Sequence, residues 1–109
     1  MITESAYLQL VDEVFRRIED ACEPIDPDDV EAVAAGDVLT LTFRDRSRCV
    51  LNTQRPTRQI WLAANSRAWH FNHDPATNSW LDDKGRGDEL FATLTRIVSE
   101  NADATLRWG

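Results

Sequence analysis

The spacing of apolar residues predicts an α-helix at each end of the chain. From about Glu4 to Glu23 they recur every three or four positions, so they line one face of a helix with Thr3 as its N-cap. The same spacing follows Asp88, the expected N-cap of a second helix that ends near Asn101. Each helix therefore has one face to bury. The two apolar stripes consist of Tyr7, Leu10, Val11, Val14, Ile18 and Ala21, and of Leu90, Phe91, Leu94, Ile97 and Val98.

Between the helices, apolar residues alternate with polar ones, which is the two-residue period of half-buried β-strands. Turn-forming residues separate the runs, and short turns join antiparallel neighbours. Because each strand has one apolar face, both helices must cover the same face of the sheet. We therefore predict an α+β two-layer sandwich, with two helices packed on one face of a roughly six-stranded antiparallel sheet. The predicted strands are 30–34, 38–43, 47–53, 58–64, 68–72 and 79–82.

Length and composition suit one folded domain. The chain has 109 residues, of which 42% are hydrophobic, so residues 1–109 are expected to form a single domain around one core. Its body should span about residues 3–101, and the tail 102–109 should be irregular, with Leu106 and Trp108 packed back on the body. No apolar run approaches the ~20 residues of a membrane span, and no signal peptide is recognisable. We expect a cytoplasmic protein.

Negative charge is concentrated in the first third of the chain. The net charge is −7, and residues 1–43 hold eleven carboxylates against two arginines. Nucleic acid is therefore an unfavourable partner, because binding phosphates requires a basic surface. Cations or a basic protein surface are favoured instead.

Seven of these carboxylates surround the predicted end of the first helix and the start of the first strand. Clustered carboxylates suit hard cations, including Fe²⁺ and Fe³⁺. Three of them occupy the last helical turns, where the helix dipole disfavours negative charge. A solvated acidic face that keeps the protein soluble explains the same charges, and both interpretations stay open at this point. We call this set the acidic ridge: Glu19, Asp20, Glu23, Asp26, Asp28, Asp29 and Glu31.

Strand alternation also places a large aromatic residue on the polar side of the sheet. Ile60 and Leu62 point toward the core, so Gln59 and Trp61 point away from it. The preceding strand has Asn52 on that outward side. An outward Trp is either an ordinary surface residue or a binding hot spot, because Trp is enriched at such spots.

The central segment contains the pattern Asn-x-Gln-x-Pro-x-x-Gln-Ile-Trp-Leu-Ala, carried by Asn52, Gln54, Pro56, Gln59, Ile60, Trp61, Leu62 and Ala63. This pattern resembles the motif of the frataxin family and is most similar to that of its bacterial members. The acidic first helix, the run 38–43, the Trp-His-Phe of 69–71 and the closing helix agree with it. The resemblance spans roughly residues 3–101.

The resemblance implies a function in iron–sulfur cluster assembly. A frataxin would bind iron, as Fe²⁺ or Fe³⁺, weakly and at several sites on the acidic ridge. It would regulate cluster assembly or supply iron by binding the cysteine desulfurase and the scaffold protein. The residues implied in partner binding are Asn52, Gln54, Gln59 and Trp61, with His70 beside them. This ridge is interrupted by Pro24, Ile25 and Pro27, where the family has a denser acidic run.

Catalytic motifs are not recognisable in the sequence. It has no Gly-rich phosphate loop and no nucleophile elbow. Cys22 and Cys49 lack metal-ligand spacing and are expected to be small buried hydrophobes. His70 and His73 are too few for a metal triad, and their spacing sends them to opposite faces of a strand.

We therefore expect a monomer without enzymatic activity, and iron-driven oligomerisation stays open. Two alternatives also remain. A ferroxidase or iron-storage protein would oxidise iron on the acidic ridge and consume oxygen with turnover. An acidic adaptor would bind no metal, so its spectra would not change with iron.

Overall fold

The computed structural model describes residues 2–108, which form two α-helices and six β-strands in the predicted order. Met1 and Gly109, the ends of the predicted domain and tail, lie outside the described residues. Strands β2 and β6 have the predicted bounds, and the other elements differ from the prediction by a few residues. The elements are α1 (Glu4–Cys22), β1 (Val30–Ala35), β2 (Val38–Phe43), β3 (Arg48–Gln54), β4 (Gln59–Ala64), β5 (Arg67–Asp74), β6 (Ser79–Asp82) and α2 (Leu90–Ala102).

The six strands form one antiparallel meander in which each strand pairs with the next along the chain. Both helices contribute to a single hydrophobic cluster with alternate residues of the strands. The predicted α+β sandwich is therefore confirmed, with both helices on one face, which we call the inner face. We call the opposite face the outer face. Among residues 2–108, no helix combines the length and apolarity that a membrane crossing requires.

The inner face has the residues that strand alternation predicts. Leu39, Leu41 and Phe43 of β2 are buried, as are Ile60 and Leu62 of β4. Full burial of side chains of this size stabilises a fold by about 1.5–3 kcal/mol each. The outward neighbours of these residues are therefore held in register by the core.

The helix stripes differ from the prediction at their margins. In α1, Phe15 is buried as well, whereas Leu10 is only half-buried. In α2, Thr93 is buried and Phe91 is half-buried. Phe91 lies at the rim of the helix pair, where the guanidinium of Arg17 covers its ring at 4.4 Å from the centroid. The period of 3.6 residues predicts which face is apolar, but the neighbouring elements decide how far it is covered.

The N-cap of α1 is Thr3, as predicted, but the predicted cap of α2 is wrong. Thr3 Oγ1 accepts from the Ala6 N–H at 3.2 Å. The cap of α2 is Glu89, whose carboxylate accepts from two backbone N–H groups of the first turn at 3.0 Å each. Asp88 accepts instead from Trp69 Nε1 at 3.0 Å, because the N–H of a buried indole requires an acceptor.

The tail is irregular and packs back on the body, as predicted. Leu106 is buried, and Trp108 Nε1 donates to Thr95 Oγ1 at 2.8 Å. The Trp108 ring meets Phe91 edge-on, with 4.6 Å between centroids. The tail therefore covers α2.

A buried tyrosine ties α1 to the β3–β4 hairpin. The Tyr7 hydroxyl donates to the backbone carbonyl of Gln59 at 2.5 Å and accepts from the backbone N–H of Gln54 at 3.1 Å. A buried hydroxyl bonded at both ends favours one position of the hairpin relative to the helix. The backbone under the outward residues of β4 is thereby anchored to the core.

The end of β6 carries a buried carboxylate that should make stability depend on pH. The Asp82 side chain has no exposed surface, and it accepts from Arg86 Nε at 2.8 Å and Nη2 at 3.2 Å. Hydrogen bonding by the Arg86 guanidinium lowers the pKa of Asp82. A lowered pKa in the folded state means that the ionised carboxylate stabilises the fold above the unfolded pKa of about 3.9. This contribution is lost as pH falls through the folded pKa.

We expect Asp82→Asn to lower the free energy of unfolding by about 2 kcal/mol at neutral pH. The loss should stay below that of a fully buried ion pair, since Arg86 is 41% exposed and can be solvated. Urea unfolding across the acid range measures it, and the difference from the parent should shrink as the pH falls. Asp12→Asn, at an exposed position, is the control. An equal pH dependence in parent and Asp82→Asn proteins would contradict the prediction.

Candidate functional site

Trp61 lies in the middle of the outer face, as strand alternation predicts. Across the sheet it stands between Asn52 of β3 and His70 of β5. The indole is half-buried and stacks on the His70 ring, with 4.1 Å between centroids and 13° between planes. Its Nε1 donates to Gln59 Oε1 at 2.9 Å. The indole is therefore held from two sides.

Gln59 is on the same face but is covered, with only 8% of its surface exposed. Its Nε2 donates to Asn72 Oδ1 at 3.2 Å and to Asp83 Oδ2 at 3.1 Å. The amide therefore has partners at both ends and faces Trp61 with its oxygen. The partner-binding role that the resemblance implies for Gln59 stays a prediction, and in the structure its amide supports Trp61.

Asp83 is a member of this site that the sequence does not predict, because no local signal marks it. It follows Gln59 by 24 residues and lies in the turn after β6, which reads as an ordinary polar turn. The backbone N–H of Asp83 donates to the His70 carbonyl at 2.8 Å, which brings the turn against β5. Only the fold brings this carboxylate to the central strands.

On the β3 side of Trp61 and in the next row of the sheet, the outward side chains are uncharged. Asn52 and Gln54 are half-buried, and Asn52 Nδ2 donates to the Thr53 carbonyl at 3.2 Å. The next row of the sheet carries only small or β-branched uncharged side chains. This row is Val33, Thr40, Val50, Ala63 and Ala68. An aromatic residue in such surroundings suits contact with a protein surface.

The acidic ridge lies at the end of α1, in the loop after it and at the start of β1. Six of its seven carboxylates are exposed, and Asp29 is half-buried. Glu19, Glu23 and Glu31 border one shallow depression between α1 and β1. Within residues 2–108, no three His, Cys, Asp or Glu side chains are arranged to enclose a metal ion. The ridge is thus an open surface.

The acidic ridge has two parts, and an arginine pairs with a carboxylate in only one of them. Asp29 Oδ1 accepts from Arg44 Nε at 2.8 Å and lies 2.7 Å from Arg44 Nη2. This hydrogen bonding, with the nearby Asp29 charge, raises the pKa of Arg44. Ile25 packs against the core and separates this loop part from the helical part. Glu19, Asp20 and Glu23 make no ion pair within the described residues, although Asp20 lines one depression together with Arg17 and Arg107.

Cys49 and His73 lie away from both surfaces, whereas Cys22 lines the depression that Glu19, Glu23 and Glu31 border. Cys22 and Cys49 are buried, and burial raises the pKa of the thiols to about 11 and about 12. Both therefore remain protonated at neutral pH and behave as small hydrophobes, as predicted. The His73 ring packs on the Trp80 ring with 5.2 Å between centroids, and His73 Nε2 lies 2.9 Å from Asn78 Oδ1. His73 is on the opposite face of the sheet from His70.

Comparison with known proteins identifies the family. Residues 1–104 match the frataxin-like domain family. The "Iron-sulfur cluster assembly protein CyaY" of Delftia acidovorans is 36% identical over 110 residues, covering 98% of this chain and 97% of that protein.

Solved frataxins share the fold. A frataxin from Psychromonas ingrahamii superimposes with a TM-score of 0.89 at 28% identity, covering 99% of each chain. A trimeric frataxin from the yeast Saccharomyces cerevisiae gives 0.73 at 25% identity, covering 87% of this chain and 80% of the yeast chain. The sequence and structural similarities together show that the chain belongs to the frataxin family, among its bacterial CyaY members.

Proposed function

We propose that this protein acts in iron–sulfur cluster assembly as a weak iron binder that docks on the cysteine desulfurase–scaffold complex. It would bind Fe²⁺ or Fe³⁺ on the acidic ridge and contact the complex through the ridge and the outer face, thereby regulating assembly or supplying iron. The observation that carries the proposal is the exposed charge of Glu19, Asp20 and Glu23, which form no ion pair within the described residues. The name of the Delftia relative supports the pathway.

The position of these carboxylates argues for a use beyond folding. They lie in the last turn and C-cap of α1, which has no basic residue in its last turn. Negative charge there costs about 0.3–1 kcal/mol per residue through the helix dipole. A hard cation or a basic protein surface would offset this charge. Iron held on such an open surface keeps most of its water ligands, so its binding is weak and its release is easy.

The outer face supports the docking part of the proposal. Trp61 is already ordered by His70 and Gln59, so little conformational entropy is lost when a partner covers it. Glu31 belongs to the acidic ridge and also points to the outer face from β1, opposite Thr42. The two surfaces therefore meet at β1, and one partner can contact both.

Anaerobic titration with Fe²⁺ tests the iron site. We expect paramagnetic broadening of the backbone amides of residues 19–31, because the clustered carboxylates are there, and unchanged resonances around Trp61. Mg²⁺, a hard but diamagnetic ion, is the control and should shift the same amides without broadening them. Broadening centred on His70, Cys22 or Cys49 would contradict the carboxylate site. An absence of iron-dependent change would favour the adaptor. In a separate aerobic assay, catalytic oxygen consumption with Fe²⁺ would favour the ferroxidase.

A further inference from the structure

One carboxylate oxygen contacts both residues that hold Trp61. Asp83 Oδ2 accepts from Gln59 Nε2 at 3.1 Å and lies 3.5 Å from His70 Nδ1. Gln59 in turn bonds the indole N–H, and His70 stacks on the indole ring. Asp83 itself is fixed through its backbone N–H, and its side chain is only 27% exposed. The turn after β6 is thus coupled to the centre of the outer face.

The network determines which end of the Gln59 amide faces Trp61. An indole N–H only donates, so it requires the amide oxygen. The amide nitrogen must then face acceptors, and a carboxylate is an acceptor that cannot reverse its role when ionised. Asn72, the other acceptor, is itself an amide and can present its nitrogen instead. Asp83 and the indole N–H are therefore the members with fixed roles, and together they select the orientation.

We propose that Asp83 is a positioning residue for Trp61, acting through Gln59 and His70 so that the indole is ordered before docking. The inference rests on the proposed function for its consequence, because ordering Trp61 matters only where the outer face binds a partner. Without Asp83 the amide of Gln59 rotates and His70 loses its charged neighbour. The indole then samples several rotamers, and docking must order it again.

The test compares Asp83→Ala, Asp83→Asn and the charge-matched control Asp12→Asn. Asparagine retains an oxygen that can accept from Gln59 but lacks the charge and the fixed acceptor role of aspartate, so it should reverse the effect of alanine only in part. In the free protein, we expect Asp83→Ala to shift or broaden only the indole N–H resonance of Trp61, among those of Trp61, Trp69, Trp80 and Trp108. Its affinity for the desulfurase–scaffold complex should fall about two- to tenfold, the cost of ordering one side chain.

Each outcome is decisive. A Trp61 indole resonance identical in Asp83→Ala and parent proteins would overturn the positioning role. A shift of all four indoles with a large fall in melting temperature would also overturn it, because Asp83 would then be structural. A third outcome is that Asp83→Ala moves the Trp61 resonance alone, but neither Asp83→Ala nor Trp61→Ala changes docking. Asp83 then positions the indole, and the proposal that the outer face docks a partner is contradicted.

Discussion

Reversing two charges at the end of α1, with Glu19→Lys and Asp20→Lys, is expected to weaken Fe²⁺ binding about thirtyfold. A unit charge at about 8 Å from a divalent ion contributes about 1 kcal/mol in water. The double variant changes the charge by four units, and screening at 0.1 M salt reduces the sum to about 2 kcal/mol, which is about thirtyfold in affinity. Titration calorimetry under anaerobic conditions measures this loss.

The same variant should weaken docking on the desulfurase–scaffold complex, because the acidic ridge is proposed to bind both the iron and the complex. The loss should be largest at low ionic strength and appear mainly in the association rate, as for charges at the rim of an interface. The stability of the fold should not decrease. Lysines near the C-terminal end of α1 interact favourably with the helix dipole, so the melting temperature should stay level or rise.

Asp12→Lys with Glu13→Lys provides the matched control. These exposed residues lie on the same helix about two turns earlier, and their reversal changes the net charge equally. They lie about 10 Å from Glu19 and Asp20, about one Debye length at 0.1 M salt, so their effect should be clearly smaller than that of the ridge carboxylates. Equal losses in the two double variants would show that net charge, rather than the ridge, attracts the metal and the partner.

Periodicity was sufficient to predict the layers of this fold. Leu39, Leu41, Ile60 and Leu62 face the helices because alternation along a strand leaves them one apolar side to bury. The orientation of Trp61 follows from the same rule. These features depend on residues close together in sequence, so a local pattern contains them.

The supports of the site depend on contacts between distant segments, which no local pattern contains. Asp83 reaches Gln59 only because β6 follows β5 in the meander, and Asp88 cannot cap α2 because Trp69 occupies its carboxylate. Arg44 pairs with Asp29 across the β1–β2 edge of the sheet. Charge counting therefore locates the acidic ridge but does not show that its loop part is partly neutralised.

Truncating Trp61 to alanine should leave the protein folded and remove most of its affinity for the desulfurase–scaffold complex. The variant loses the stack on His70 and the bond to Gln59, about 1–2 kcal/mol of stability. Truncation of the buried Trp80 should cost about 3–5 kcal/mol, a large part of the 5–15 kcal/mol that stabilises a domain. Thermal unfolding of both variants separates outer-face from core residues.

Docking is the larger effect of Trp61→Ala. A hot-spot aromatic contributes about 2 kcal/mol or more to binding, so the dissociation constant should rise at least about thirtyfold, while Fe²⁺ binding on the acidic ridge stays unchanged. Leu81→Ala is the control, because Leu81 is an apolar residue of β6 on the outer face that is 36% exposed and lies beyond Asn72. If Trp61→Ala unfolds the protein, the indole belongs to the core and the outer-face site is lost. If it folds and binds the complex as tightly as the parent, docking relies on the ridge carboxylates alone, since no other large aromatic side chain of the described residues lies on the outer face.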